Sequence, residues 1–153
     1  MEAVFSLSGL LVMPFWALMI FLPRWRWTHR ILRSPLVILP PALLYGALVL
    51  PRLAEVFPAV SSPTLAGIAT LLGTPAGATI AWAHFLAFDL FVGRWAYLDG
   101  RERGISALLM APVLFLTLIL GPLGFLLYLV LRGVTARSSG GRTAPEPSEK
   151  KRS

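Results

Sequence analysis

Apolar and polar positions are sharply segregated along this chain. Residues 3–23, 34–51 and 105–131 carry no charged side chain, and 56–88 hold only the ionisable His84. The hydrocarbon core of a bilayer is about 30 Å thick and takes about 20 apolar helical residues to cross. The pattern therefore predicts an all-α integral membrane protein. The expected fold is a four-helix transmembrane bundle with spans near residues 3–22, 35–50, 75–95 and 112–131.

Punctuation along the chain sets these boundaries. Pro23 ends the first run, and Arg24-Trp25-Arg26-Trp27 follows as an interfacial anchor of indoles and arginines. The first run reads as a retained span rather than a cleaved leader, because it opens on Met1-Glu2 and exceeds the apolar length of a signal peptide. Pro40 and Pro41 predict a kinked second span, or one whose first turn lies in the interface. Residues 56–88 are too many for one crossing and too few for two. Ser62-Pro63 and Thr74-Pro75 each offer a cap followed by proline at the first helical position, and Gly73 offers a stop. They divide the run into a short interfacial or re-entrant helix at 63–72 and a third span starting at Pro75. A polar hinge is expected at 97–104. Pro112 marks a bend or the true start of the last span, and Pro122, within Gly121-Pro122-Leu123-Gly124, marks a second break. Residues 1–132 thus form a transmembrane domain. Residues 133–153, polar and without periodicity, read as a disordered basic tail.

Composition adds little beyond this. Only 14% of residues are charged, against about a quarter in soluble domains. The net charge of +7 sits in loops and tail, which suits a membrane surface and calls for no nucleic acid. With no cysteine, disulfides and thiolate chemistry are excluded. Arg24, Arg26, Arg30 and Arg33 share one side with Arg94, Arg101 and Arg103, and Arg52 lies on the other. Basic residues near the spans favour the first side as cytoplasmic. In the four-span layout the tail, with Arg132, Arg137 and Arg142, argues the opposite way, and both termini share a side.

Candidate chemistry is concentrated in the third span. His84 falls near its middle and Asp89 about 7 Å further along. A carboxylate at that depth costs about 3 kcal/mol, so Asp89 should be paired, protonated or facing a polar cavity. At 100° per residue the two lie about 140° apart, so neither faces lipid only if this span is the central helix. Gly73, Gly77 and Ala81, at every fourth position, predict a close helix contact. His84 and Asp89 either hydrogen-bond neighbouring helices, form a proton donor–acceptor pair in a lipid-accessible pocket, or line an ion path. Phe88, Phe91 and Trp95 share a stripe with His84, as core packing or as a cradle for a flat ligand; Arg94 and Asp99 snorkel or pair at the interface. Two histidines on different spans make a metal site unlikely on chemical grounds, and no phosphate loop or dinucleotide fingerprint occurs, so no cofactor is expected.

The third-span string Trp82, His84, Leu86, Asp89-Leu90-Phe91, Gly93-Arg94-Trp95, ending near Asp99-Gly100, resembles a family of small membrane proteins. These are the plant "abscisic acid deficient four" proteins, linked to neoxanthin synthesis, and their bacterial relatives. Met13-Pro14 with Trp16, Ala111-Pro112 with Leu114 and Thr117, and Gly121-Pro122 with Gly124 and Tyr128 agree, so the resemblance spans residues 5–131. It implies an isomerase-like enzyme that turns a polyene epoxide into an allene, or else a non-catalytic scaffold or lipid-binding accessory subunit. Epoxide opening needs an acid at oxygen and a base at carbon. His84 and Asp89 are the candidates, with Trp82, Phe88, Phe91, Arg94 and Trp95 expected to bind substrate. The implied partners are the lipid bilayer, a carotenoid or other isoprenoid, and a pigment-pathway enzyme. Lacking an Arg/Ser-rich leader, the chain reads as a bacterial-type member in the inner (plasma) membrane.

Overall fold

The structure, a computed structural model, describes residues 1–140. It is all-helical among those residues: α1 (Glu2–Phe21), α2 (Arg26–Arg33), α3 (Leu39–Val49), α4 (Leu53–Ser61), α5 (Leu65–Leu72), α6 (Pro75–Glu102) and α7 (Ala107–Gly140). Short 3-10 turns at Pro35–Ile38 and Leu50–Arg52 join α3 to its neighbours, so Pro35–Ser61 forms one apolar helical stretch. Four stretches are long and apolar enough to cross a membrane: Glu2–Phe21, Pro35–Ser61, Pro75–Glu102 and Ala107–Ala136. Pro40 and Pro41 lie in the first turn of α3, where a missing N–H costs little. Thr64 caps α5 and Thr74 caps α6, each accepting from a glycine N–H (Gly67 at 3.1 Å, Gly77 at 2.9 Å).

Helix α6 is the central helix, in contact with α1, α2, α3, α5 and α7. Pairings along it fix the direction of each neighbour. Phe5 stacks on Trp82, Trp16 fills the space beside Gly93, and the Pro23 carbonyl accepts from Tyr97 Oη at 2.9 Å, so α1 runs parallel to α6. Tyr45 meets His84, while Ile38 and Phe91 border one groove, so α3 runs antiparallel.

The last helix departs from expectation. Gly100 abuts Met110, and Gly121 abuts Asp89. From there the order reverses: Phe125 and Tyr128 pack on Trp95, and Tyr128 and Arg132 reach Asp99. Thus α7 descends along α6 and then climbs back. Its backbone leaves the helical region at Leu120 (φ −134°, ψ 42°) and Gly121 (φ 3°, ψ −78°). Pro122 supplies no N–H to continue the first segment. Gly124 lies so close to the Thr117 backbone that a Cβ would overlap it, which lets the two segments close into a tight hairpin. The hairpin reaches about 16 Å along α6, roughly eleven residues at 1.5 Å each, and its tip stops at Asp89 near the middle of that helix.

Four further expectations are corrected. The polar stretch at 97–104 is mostly helix, because Tyr97 and Arg101 both donate to the Pro23 carbonyl and hold the end of α6 to the end of α1. The turn is confined to the residues around Gly104, whose φ of +68° suits glycine. The arginine-rich segment after α1 is a helix, α2, seated by buried Thr28 and Leu32. Gly77 does make a close contact, but with the Leu71 carbonyl in the α5–α6 turn rather than with another span. Close approach between long helices occurs instead at Gly93 and Gly100. Finally, helix α7 runs to Gly140, past the tail boundary drawn at 133; residues 141–153 lie outside the described residues.

Candidate functional site

Because the hairpin reaches only halfway along α6, the other half of that face is uncovered. Trp82, Phe85 and Phe88 are correspondingly exposed. Under the tip lies a cavity of about 560 Å³, bounded by α6 from Trp82 to Val92 and by the hairpin from Leu118 to Phe125. His84 and Asp89 both border it, with Trp82, Phe85 and Phe88 as aromatic walls. The structure thus brings together both residues singled out as acid–base candidates and two of the five expected to bind substrate.

Each side chain is placed by the local fold. His84 is half-buried, stacked on Phe88 at 4.7 Å between ring centroids and meeting Tyr45 at 5.4 Å. Trp82 is stacked on Phe5 of α1 at 5.5 Å. Asp89 is half-buried, with the Gly121 backbone against its carboxylate; any Cβ at residue 121 would overlap that carboxylate. No hydrogen bond or ion pair reaches Asp89 among the described residues. It is held by shape, at the point where α7 breaks. The break has both protein and a cavity beside it.

The remaining three predicted residues lie elsewhere. Phe91 borders a second groove between α3 and α6. Arg94 donates to the Leu32 carbonyl (2.7 Å) and the Arg33 carbonyl (3.0 Å), capping the C-terminal end of α2. Trp95 packs edge-on against Tyr128 and Phe125, with the Arg132 guanidinium over its ring. These last two fasten helices together and stand outside the cavity lining.

Sequence reasoning missed three participants. Tyr45 gave no signal, since an isolated tyrosine in an apolar run reads as packing. Gly121 was visible as a helix break but not as the seat of a carboxylate. Tyr128 joins Asp99 at the far end of α6, where Asp99 also accepts from Arg103 at 2.8 Å and forms an ion pair with Arg132 at 3.3 Å. This network ties the returning arm of the hairpin to α6 and so fixes where the tip stops. No group of three or more potential metal ligands occurs among the described residues.

Comparison with known proteins gives a consistent assignment. The chain matches the family model described as ABA DEFICIENT 4-like over residues 3–128. It is 30% identical over 139 residues to Protein ABA DEFICIENT 4, chloroplastic, of Arabidopsis thaliana, covering 87% of this chain and 62% of that protein. The chain therefore spans somewhat less than two thirds of that relative's length. No solved structure matches.

Proposed function

This chain belongs to the ABA DEFICIENT 4-like family, and from that premise we propose that it is an integral membrane protein whose sub-hairpin cavity takes up a long isoprenoid from the bilayer and isomerises it. One observation carries this reading: His84 and Asp89, the two ionisable residues in the middle of α6, border one aromatic-walled cavity that opens on the side the hairpin leaves bare. The chemistry fits the epoxide-to-allene conversion implied by the family resemblance. One member of the pair protonates the epoxide oxygen as its C–O bond breaks, and oxygen keeps the bonding electrons and becomes a hydroxyl. The other takes a proton from carbon, and the freed C–H electrons form the new cumulated double bond. No atom is gained or lost, so no cofactor or redox partner is required. Aromatic walls suit a flat conjugated chain, and an unpartnered Asp89 leaves its carboxyl free for substrate.

The membrane arrangement we adopt has three full crossings, α1, Pro35–Ser61 and α6, with α7 as a re-entrant hairpin. It resolves the conflict in the charge count. With α7 folded back, Arg132 joins Arg24, Arg26, Arg30, Arg33, Arg94, Arg101 and Arg103 at one end, and Arg52 is left at the other. His29 at that basic end is held below the usual imidazole range by burial and by Arg101 and Arg33. By the positive-inside rule this end faces the side from which the chain inserts.

The same cavity also suits a non-catalytic lipid-binding subunit, the second reading that its apolar lining favours. Both readings require bound lipid. Protein purified in mild detergent, extracted and examined by absorption and mass spectrometry should release a polyene or long isoprenoid in near-stoichiometric amount. Phospholipid alone, from membranes that contain such isoprenoids, would remove both readings.

A further inference from the structure

Two smaller grooves lie on the α3 side of α6, and both touch His84. One, of about 330 Å³, is bordered by Ile38, Ala42, Tyr45, His84, Phe88 and Phe91. The other, of about 200 Å³, is bordered by Tyr45, Val56, Leu71, Gly77, Ile80 and His84, among others. Tyr45 and His84 border both, so the two grooves adjoin there and together follow α6 from Gly77 to Phe91, about 21 Å at 1.5 Å per residue. His84 with Phe88 also borders the sub-hairpin cavity. The imidazole therefore stands at the junction of all three spaces. Around it the walls are aliphatic and aromatic, and among the described residues the phenol of Tyr45 is the one hydroxyl in the linings of the three spaces.

From this adjacency we infer that the ligand does not end under the hairpin tip. Its apolar chain passes over His84 and Phe88 into the α3–α6 groove, which measures chain length, with Tyr45 at the crossing. The occupant is the far part of the same long isoprenoid, because the groove lining is aliphatic and aromatic apart from Tyr45 and His84, with no charged group among the described residues to hold a headgroup, and it adjoins the cavity that holds the reacting end across His84 and Phe88. This inference rests on the proposed isoprenoid-binding function and adds to it a second subsite and a preference for chains too long for one cavity.

The test uses purified full-length protein and two probes of different length, a C40 dihydroxy carotenoid and retinol, a C20 polyene alcohol. Binding is read from the quenching of tryptophan fluorescence, to which Trp82 on the cavity wall contributes. Ala42→Phe fills the α3–α6 groove without touching the sub-hairpin cavity. It should weaken C40 binding at least about tenfold, a loss on the scale of one or two displaced apolar contacts, and leave retinol binding unchanged. Phe91→Ala, which removes the opposite wall, should weaken the C40 probe selectively as well and serves if Ala42→Phe does not fold. Equal effects on both probes, or none on either, would overturn the inference while leaving the proposed function standing. A wild-type protein that binds neither probe would remove both.

Discussion

Asp89→Asn is expected to fold as well as the parent and to lose turnover of an epoxy polyene by about two to four orders of magnitude, the usual worth of a general acid or base. The substitution keeps the shape of the side chain that meets Gly121, so the hairpin tip retains its seat. It also removes a burden, since an amide at membrane depth is cheaper than a carboxylate. What it abolishes is the titrating carboxyl proton. Because no protein group pairs with Asp89 among the described residues, its loss breaks no ion pair, and a fall in activity is attributable to chemistry. Thermal unfolding and lipid retention should stay at parental levels while product formation, followed by chromatography, collapses. Undiminished turnover in a well-folded variant would remove the catalytic reading and favour the binding subunit.

The largest structural effect is expected at Gly124. A side chain there overlaps the Thr117 backbone, and backbone cannot swing aside as a flexible side-chain end can. Gly124→Val should therefore cost about 3 kcal/mol or more, the upper range for overpacking, with loss of monodisperse protein in detergent. The damage propagates in a definite direction. Once the two arms of α7 part, Tyr128 and Arg132 leave Asp99, and the tip no longer holds the roof of the cavity. Gly133→Ala is the control, because open space surrounds that position and surface changes of this kind stay within about 0.5 kcal/mol.

Much of the helical content was legible in the sequence, for a simple reason: charge-free runs bounded by proline and capping threonines leave few alternatives. Pro75 and Thr74 set the start of α6, and Gly73 marked the end of the short helix before it, although Thr64 rather than Ser62 caps that helix, which starts at Leu65 rather than Pro63. The course of α7 was not legible. Its residues 107–131 are apolar on every side, so hydropathy scores a hairpin and a straight span alike. Gly121-Pro122 announced a break, but the angle of a break is decided by what each arm meets. Here Gly124 meeting Thr117, and Asp99 gathering Tyr128 and Arg132, turn a kink into a reversal. The candidate site divides the same way. His84 and Asp89 stood out because ionisable groups inside an apolar run are rare. Arg94 and Trp95 were grouped with them by proximity in sequence, yet the geometry gives them to α2 and to the returning arm. Tyr45 became a neighbour of His84 only through the antiparallel packing of α3 on α6.

What is proposed for Asp89 depends on α7 turning back at Gly121, and that reversal dictates which side of the membrane each end occupies. The chain has no native cysteine, so single cysteines report without interference. Glu2→Cys, Arg26→Cys and Gly133→Cys, each treated with a membrane-impermeant maleimide in sealed vesicles of known orientation, give the answer directly. Arg26→Cys and Gly133→Cys should label from one side and Glu2→Cys from the other. If Glu2→Cys and Gly133→Cys label from the same side, α7 crosses the membrane completely, and the hairpin that roofs the cavity at Asp89 does not exist.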